Sequence, residues 1–353
     1  MVTKEYFGSF ADGTVYAYTL KNQAGMAVTL LTRGAAVQKI CVPVNGKTVD
    51  ICLGFDTIEE YLADTCYLGV VVGRNCNRIG GSRFPLNGQT VVLPANEGEN
   101  QLHGGPVGFN SRIWAAKAGE NSVTFTYHSP DGEGGYPGNV ALSVTYTLDE
   151  DNGLRLDYTA TPDQDTVVNL TNHTYFNLNG GGTILDQRLK LFASTYLESN
   201  EETCPTGRIL PVAGTPMDFT KGKAIGRDLD PGCEQTRMVG DGYDHCYVID
   251  RPRAGARQSI CAWATCDESN ISMKVYTTQP GVHLYTGNFL QECPSPGKGL
   301  RPMQKYGGFC LETEHFPCSP SHPEFPSTIL RAGKVFRVSN TLRFFTGKQC
   351  GVI

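Results

Sequence analysis

Residues 140–148, VALSVTYTL, alternate without a break. Leu142, Val144, Tyr146 and Leu148 fall on one face, and Ser143, Thr145 and Thr147 fall on the other. Successive side chains of a strand point to opposite sides, so this is the pattern of a strand with one face against a core. Working outward, SVTFTYHS (122–129) sets Val123, Phe125 and Tyr127 against Thr124, Thr126 and His128, and LRLDYTA (154–160) repeats the pattern with Leu154, Leu156 and Tyr158. ISMKVYTT (271–278) and KVFRVSNTLRFF (334–345) follow it less regularly. Turn chemistry falls between such runs: VNGK at 44–47, LNGQ at 86–89, DEDNG at 149–153 and NLNGGG at 177–182. Asn and Gly tolerate positive φ, which tight hairpins require. One short helix is expected over 56–64, DTIEEYLAD, with Asp56 as its cap and Glu59 completing a capping box. No other stretch sustains a helical period. The expectation is an all-β fold with very little helix, built as one antiparallel domain over residues 1–353. A two-sheet sandwich and a larger twisted assembly both fit this pattern.

The bulk composition agrees. Of 353 residues, 40% are hydrophobic and only 18% charged, with 41 Gly and 20 Pro, a balance that favours strands and turns over surface helices. The net charge is −5 and no basic run occurs, which argues against nucleic acid or an anionic membrane as partner. No apolar run reaches the ~18 residues of a membrane span. The start, MVTKEYFGSFADG, lacks a signal-peptide apolar segment, so a cytoplasmic location is expected. The 13 cysteines are odd in number and include no CxxC pair. Cys41, Cys52, Cys246, Cys261 and Cys310 sit in apolar runs and read as reduced core residues.

Residues 167–180, VVNLTNHTYFNLNG, raise the functional question. Read as a continuous strand, they put Asn169, Thr171, His173, Tyr175 and Asn177 on one face, polar throughout. Such a face is either a groove for a polar molecule or a solvated outer surface. Other segments place similar groups at strand ends: Asn77 and Arg78 in VVGRNCNRIGG (71–81), His103 in NQLHGGPVGFN (100–110), Asp244 and His245 in DGYDHCYVID (241–250), Gln279 in VYTTQPGVHLYTGN (275–288), and Glu312 in GGFCLETEHFP (307–317). Each alone fits a surface cation, a turn cap or an exposed carboxylate. Together they equip a site to bind a polyhydroxylated molecule and move protons on it.

The same segments carry a resemblance. GRNCNRI, NQLHGG, TNHTYFNL and CLETEHFP, with the shorter YDHCYV, resemble the motifs of the aldose 1-epimerases, also called galactose mutarotases. The likeness runs from FGSFADG to NTLRFF. It implies a broad β-supersandwich with an open sugar cleft, and it implies roles. The general acid falls on His173, the general base on Glu312 and the second active-site histidine on His103. Substrate hydroxyls fall to Asn77, Arg78, Asp244 and Gln279. No metal, nucleotide or other cofactor is implied, and the partner is a free aldose. A monomer or weak homodimer is expected. Cys76 stands where a small residue is expected, and His245 and His315 flank two of the key carboxylates.

The chemistry asks for such groups. Opening a hemiacetal ring removes the anomeric hydroxyl proton while protonating the ring oxygen, so an acid and a base must act together. An imidazole with a pKa of about 6.5 can give and take a proton near neutrality. With each group at its own oxygen, a separation of roughly 5–8 Å between their reactive atoms is expected. Alternative readings are a glycosidase using Glu312 and Asp244, a non-catalytic sugar binder, and a sugar-phosphate epimerase. The last would need clustered Arg or Lys. No HExxH pattern points to a metal.

Overall fold

The computed structural model describes residues 1–230, 232–250, 258–347 and 350–351. The strand Val140–Leu148 buries Val140, Leu142, Val144, Tyr146 and Leu148 and leaves the intervening residues partly or fully exposed, as the alternation requires. It pairs on one side with Ser122–Ser129 and on the other with Gly153–Pro162. The outward hydroxyls meet across the ladder: Thr124 with Thr145 at 2.9 Å and Ser143 with Thr159 at 2.7 Å. Such cross-strand pairs are worth about 0.2–1 kcal/mol each.

Three large antiparallel sheets organise the molecule. A five-stranded sheet runs in sequence order from Val2–Phe10 to Lys47–Asp50. Its hairpin at Asn45–Gly46 has φ of 49° and 74°, the left-handed pair that the NG dipeptide supplies. A nine-stranded sheet holds the three strands above and adds Phe336–Thr346, Ile271–Thr277 and others. A six-stranded sheet runs in the order Tyr175–Phe176, Phe309–Glu314, Gly281–Tyr285, Asp244–Val248, Thr195–Ser199 and Pro205–Pro211. One apolar cluster, extending from Tyr18 to Phe344, takes side chains from all three. Phe125 of the nine-stranded sheet meets Tyr18 of the five-stranded one edge-on at 6.2 Å, and the Tyr146 hydroxyl donates to Ala35 O at 2.8 Å. The fold is all-β, as expected, and of the larger, multi-sheet kind.

Two local expectations are corrected. The helix spans Ile58–Ala63, and its cap is Thr57 rather than Asp56. Thr57 Oγ1 accepts from Glu60 N at 3.3 Å, and Glu60 Oε2 accepts from Thr57 N at 2.9 Å, so the box sits one residue later. A second short helix, Glu234–Met238, also forms. Residues 167–180 are not one strand. Thr166–Val167 pairs with Ile329–Leu330, Thr171–Asn172 with Val71–Val72, and Tyr175–Phe176 with Phe309–Cys310. The chain passes between sheets, and its asparagines bond to the backbone where the ladder is interrupted. Asn169 holds both N and O of His315, each at 3.1 Å. Asn172 donates to Gly69 O at 2.7 Å, and Asn177 donates to Gly307 O at 2.8 Å. The amides are therefore backbone clamps, buried at Asn169 and Asn177 and half-buried at Asn172, and do not form one continuous polar face. Among the described residues no helix is long and apolar enough to cross a membrane.

Candidate active site

The six-stranded sheet has two faces. Leu284, Leu311 and Tyr247 point into the core. The register sets His283 opposite Glu312 and Asp244 opposite Tyr285, which puts Asp244, His283, Tyr285 and Glu312 on the other face. That face floors a cleft of about 440 Å³, to which His173 is added just before Tyr175. A two-residue ladder, Arg78–Ile79 with Gln101–Leu102, supplies the wall. It brings the two glycine-rich motifs together: His103 N donates to Asn77 O at 3.2 Å, and Asn77 N donates to His103 Nδ1 at 3.1 Å. Gly104 follows with φ 90°, and a Cβ there would lie 1.9 Å from Gly73 O. The glycine thus serves the contact between these two backbones.

His103, His173, Glu312, Asp244, Arg78 and Asn77 all line the cleft, as expected. Gln279 does not. It is fully buried, with Oε1 2.7 Å from His315 Nδ1 and Nε2 donating to Leu170 O at 3.4 Å. His283, four residues on, lines the cleft instead, with its Nε2 2.6 Å from Asp244 Oδ1. Strand alternation explains the shift: Gln279 precedes the strand Gly281–Tyr285, whereas His283 is its central residue facing the cleft. His245 faces the core, 0% exposed, with its ring 5.9 Å from Tyr196, so it does not touch the cleft.

Asn77 lines the cleft, and its amide is bonded within the protein. Its Nδ2 donates to His283 Nδ1 and to Glu314 Oε1, both at 3.1 Å, and its Oδ1 accepts from Arg78 N at 2.8 Å. Arg78 forms a forked pair with Glu97, Nε to Oε2 at 2.6 Å and Nη2 to Oε1 at 2.8 Å, and its Nη2 lies 3.8 Å from Asp244 Oδ2. Glu97 lies in a loop without periodicity and is not among the sequence candidates. Glu314 shares the Glu312 face, two residues on, and is fully buried. It accepts the Cys76 thiol at 3.1 Å, so Cys76 is a donor as well as a small residue. Tyr67, at φ 59°, packs its ring 4.7 Å from His103 and 5.9 Å from His173.

His173 Nε2 is 3.7 Å from Glu312 Oε1, closer than the expected 5–8 Å. That expectation set the two groups on opposite sides of the anomeric carbon. The ring oxygen and the anomeric hydroxyl share this carbon, so groups serving them can converge from one side. The gap is too long for a hydrogen bond. Glu312 Oε2 is buried and has no hydrogen-bond partner among the described residues. Burial, with the charges of Glu314 and Asp244 and against that of Arg78, pushes the Glu312 carboxyl well above its ordinary range. Burial also pulls His173 down to about 4. Both groups are thereby driven toward their neutral forms. Burial raises Glu314 to about 7, against His283 and the bonds from Cys76 and Asn77. Asp244 differs. Burial opposes its ionisation, but the His283 bond and Arg78 outweigh this and hold it well below the usual carboxylate range.

His103 Nδ1 accepts from a backbone N–H, so the neutral ring carries its proton on Nε2. Burial, with His173 and Arg78 nearby, holds it well below its ordinary pKa. His103, His173 and Glu312 each bring a possible ligand atom within 4.8 Å of the others. A metal on His103 Nε2 would need the proton on Nδ1, against the Asn77 N–H. The tautomer suits a hydrogen-bond donor to a sugar oxygen.

The aldose 1-epimerase family model matches residues 16–343. The chain belongs to the aldose 1-epimerase family. It is 37% identical to the aldose 1-epimerase of Escherichia coli (strain K12), over 92% of this chain and 94% of that one. It is 38% identical to the galactose mutarotase of Mus musculus, over 97% and 98%. Among solved structures, an aldose epimerase homologue from C. elegans superposes with a TM-score of 0.87 at 29% identity, covering 98% of this chain and 99% of that one. A galactose 1-epimerase from Lactobacillus acidophilus gives 0.85 at 27% identity, with the same coverage.

Proposed function

We propose that this protein interconverts the α and β anomers of free aldohexoses, galactose and glucose among them, using His173 and Glu312 as its acid–base couple. The observation that carries the reading is the 3.7 Å approach of His173 Nε2 to Glu312 Oε1 within a cleft that also holds Arg78, Asp244, His283 and His103. With the proton on His173, the imidazolium gives it to the ring oxygen while Glu312 takes the anomeric hydroxyl proton. The ring opens, leaving His173 neutral and Glu312 protonated. Rotation about C1–C2 presents the other face of the aldehyde. Glu312 then returns its proton to the carbonyl oxygen while His173 recovers the other, and the ring closes as the opposite anomer. Burial favours the neutral distribution, the one that accompanies the open chain. The His103 Nε2–H donates to the oxygen whose charge changes. Asp244, held ionised by His283 and Arg78, accepts from hydroxyls that do not react.

Among the described lining residues, Arg78 is the one Lys or Arg, and it is committed to Glu97 and Asp244. A phosphorylated sugar therefore fits poorly. The cleft residues come from segments spread between Thr65 and Glu312, which supports a single catalytic domain over 1–353; a monomer or weak homodimer is the assembly we propose. Polarimetry of freshly dissolved α-glucose and α-galactose tests the reading. The expected result is a faster approach to equilibrium rotation, proportional to protein. Absence of acceleration with both sugars would refute it.

A further inference from the structure

The mouth of the cleft brings together two thiols that the acid–base chemistry does not use. Cys66 lies in the strip Thr65–Tyr67 along one rim. Cys293 closes the turn Leu290–Glu292, whose Leu290 and Glu292 also line the cleft, and donates its N–H to Leu290 O at 3.1 Å. Their sulfurs lie within 4.8 Å of each other, and both residues are partly exposed. This sets them apart from Cys76, Cys246 and Cys310, which are sealed beneath the cleft floor. Asp64 completes the cluster, but its two oxygens already hold Cys66 N at 2.7 Å and Leu68 N at 2.8 Å. A bond between the two sulfurs leaves these hydrogen bonds in place.

We propose that Cys66 and Cys293 are a thiol–disulfide exchange site, forming a reversible cross-link over the cleft mouth by reaction with a small-molecule disulfide. The thiol–thiol contact favours one thiolate of the pair, and an attack begun at either sulfur ends in the same bond. Cys293 attacks one sulfur of the small disulfide, releases one thiolate and forms a mixed disulfide. Cys66 gives up its proton and attacks the Cys293 sulfur, expelling the second thiolate. Two protein thiols are oxidised, one small disulfide is reduced to two thiols, and the two protons pass to the departing thiolates. An S–S bond is about 2.05 Å long, so the two sulfurs must approach, and the strip Thr65–Tyr67 carries one of them. Tyr67, the next residue, packs on both His103 and His173, so the movement reaches the reacting groups. The cross-linked form turns over slowly.

The chemical half stands apart from the assigned activity, and the kinetic half rests on it, so the experiment reads them separately. The full chain, reduced and then treated with oxidised glutathione, is digested without reductant and mapped by mass spectrometry. A peptide linking Cys66 to Cys293 is expected. Its formation should track a roughly tenfold or greater loss of mutarotation, the scale on which small misplacements act, with recovery in dithiothreitol. Cys66→Ser and Cys293→Ser should retain activity and resist the oxidant. A missing linked peptide, glutathione adducts without the link, a link without change in rate, or equal inhibition of the serine variants would each overturn the proposal.

Discussion

Glu314→Gln offers a test of how the buried carboxylates are coupled. Glu314 is fully buried beneath the cleft, facing Asn77, Cys76 and His283, with Glu312 and Asp244 as the nearby acids. Burial raises its carboxyl from an ordinary 4.5 to about 7. The folded protein therefore holds this proton more tightly than the unfolded chain does. The resulting stabilisation is complete below about pH 4.5 and is lost as pH rises through about 7. At about 1.4 kcal/mol per pKa unit, the loss is about 3 kcal/mol. For 353 residues, an unfolding entropy of about 2.1 cal/mol/K per residue gives about 0.74 kcal/mol/K, so about 3 kcal/mol moves Tm by about 4 °C. Gln keeps the shape and the acceptor for Asn77 but cannot ionise. The variant should melt with the wild type near pH 4 and about 4 °C above it near pH 8, by calorimetry in matched buffers. Removing the charge also relaxes Glu312 downward, so the alkaline limb of kcat, where the couple loses its one proton, should move to lower pH. An equal Tm difference at both pH values, or an unmoved alkaline limb, would refute the coupling.

Three further outcomes are expected. Glu312→Gln and His173→Asn should each lower kcat for mutarotation by about 10²-fold or more, and the double variant by less than the product of the two losses. Near-wild-type turnover by either single variant, measured polarimetrically, would remove it from the couple. His283→Ala should raise KM by about tenfold or more, since it strips Asp244 of a charged hydrogen bond worth about 1.5–3 kcal/mol. Gln279→Ala should leave KM unchanged, and the opposite ranking would restore Gln279 to the cleft. Arg78→Ala should weaken sugar binding by a comparable factor, and unchanged KM for glucose, galactose and xylose would refute its role.

The parts of the molecule legible in the sequence are those governed by a local period. Val140–Leu148 and Ser122–Ser129 declare themselves because each residue's face depends only on its neighbours. Residues 167–180 do not, because their short pairs are made with strands far along the chain. Their amides look like binding groups in the sequence and turn out to replace missing ladder bonds. His283 could have been found: GVHLY alternates, and its one polar residue lies at the centre. Glu97 carries no such signal, since only the folded loop brings it to Arg78. Motif likeness named His103, His173, Asp244 and Glu312, which line the cleft, and Gln279, which is buried away from it.

What the sequence could least reveal is the protonation of the couple, because that depends on burial and on charges from several strands. An imidazolium beside a carboxylate is the arrangement that the chemistry suggests. The structure instead presses both groups toward neutrality, His173 down to about 4 and Glu312 upward. These pictures differ only in where one proton resides. Ring opening needs one proton to give and one place to receive another, and closure needs the same pair reversed. A couple holding a single proton meets both needs whichever member carries it. Two protons would leave no base and none would leave no acid. Glu314 bears on this count, since its charge helps keep Glu312 from shedding the proton to solvent. A second carboxylate below the first thus favours retention of the one proton that the reaction passes back and forth.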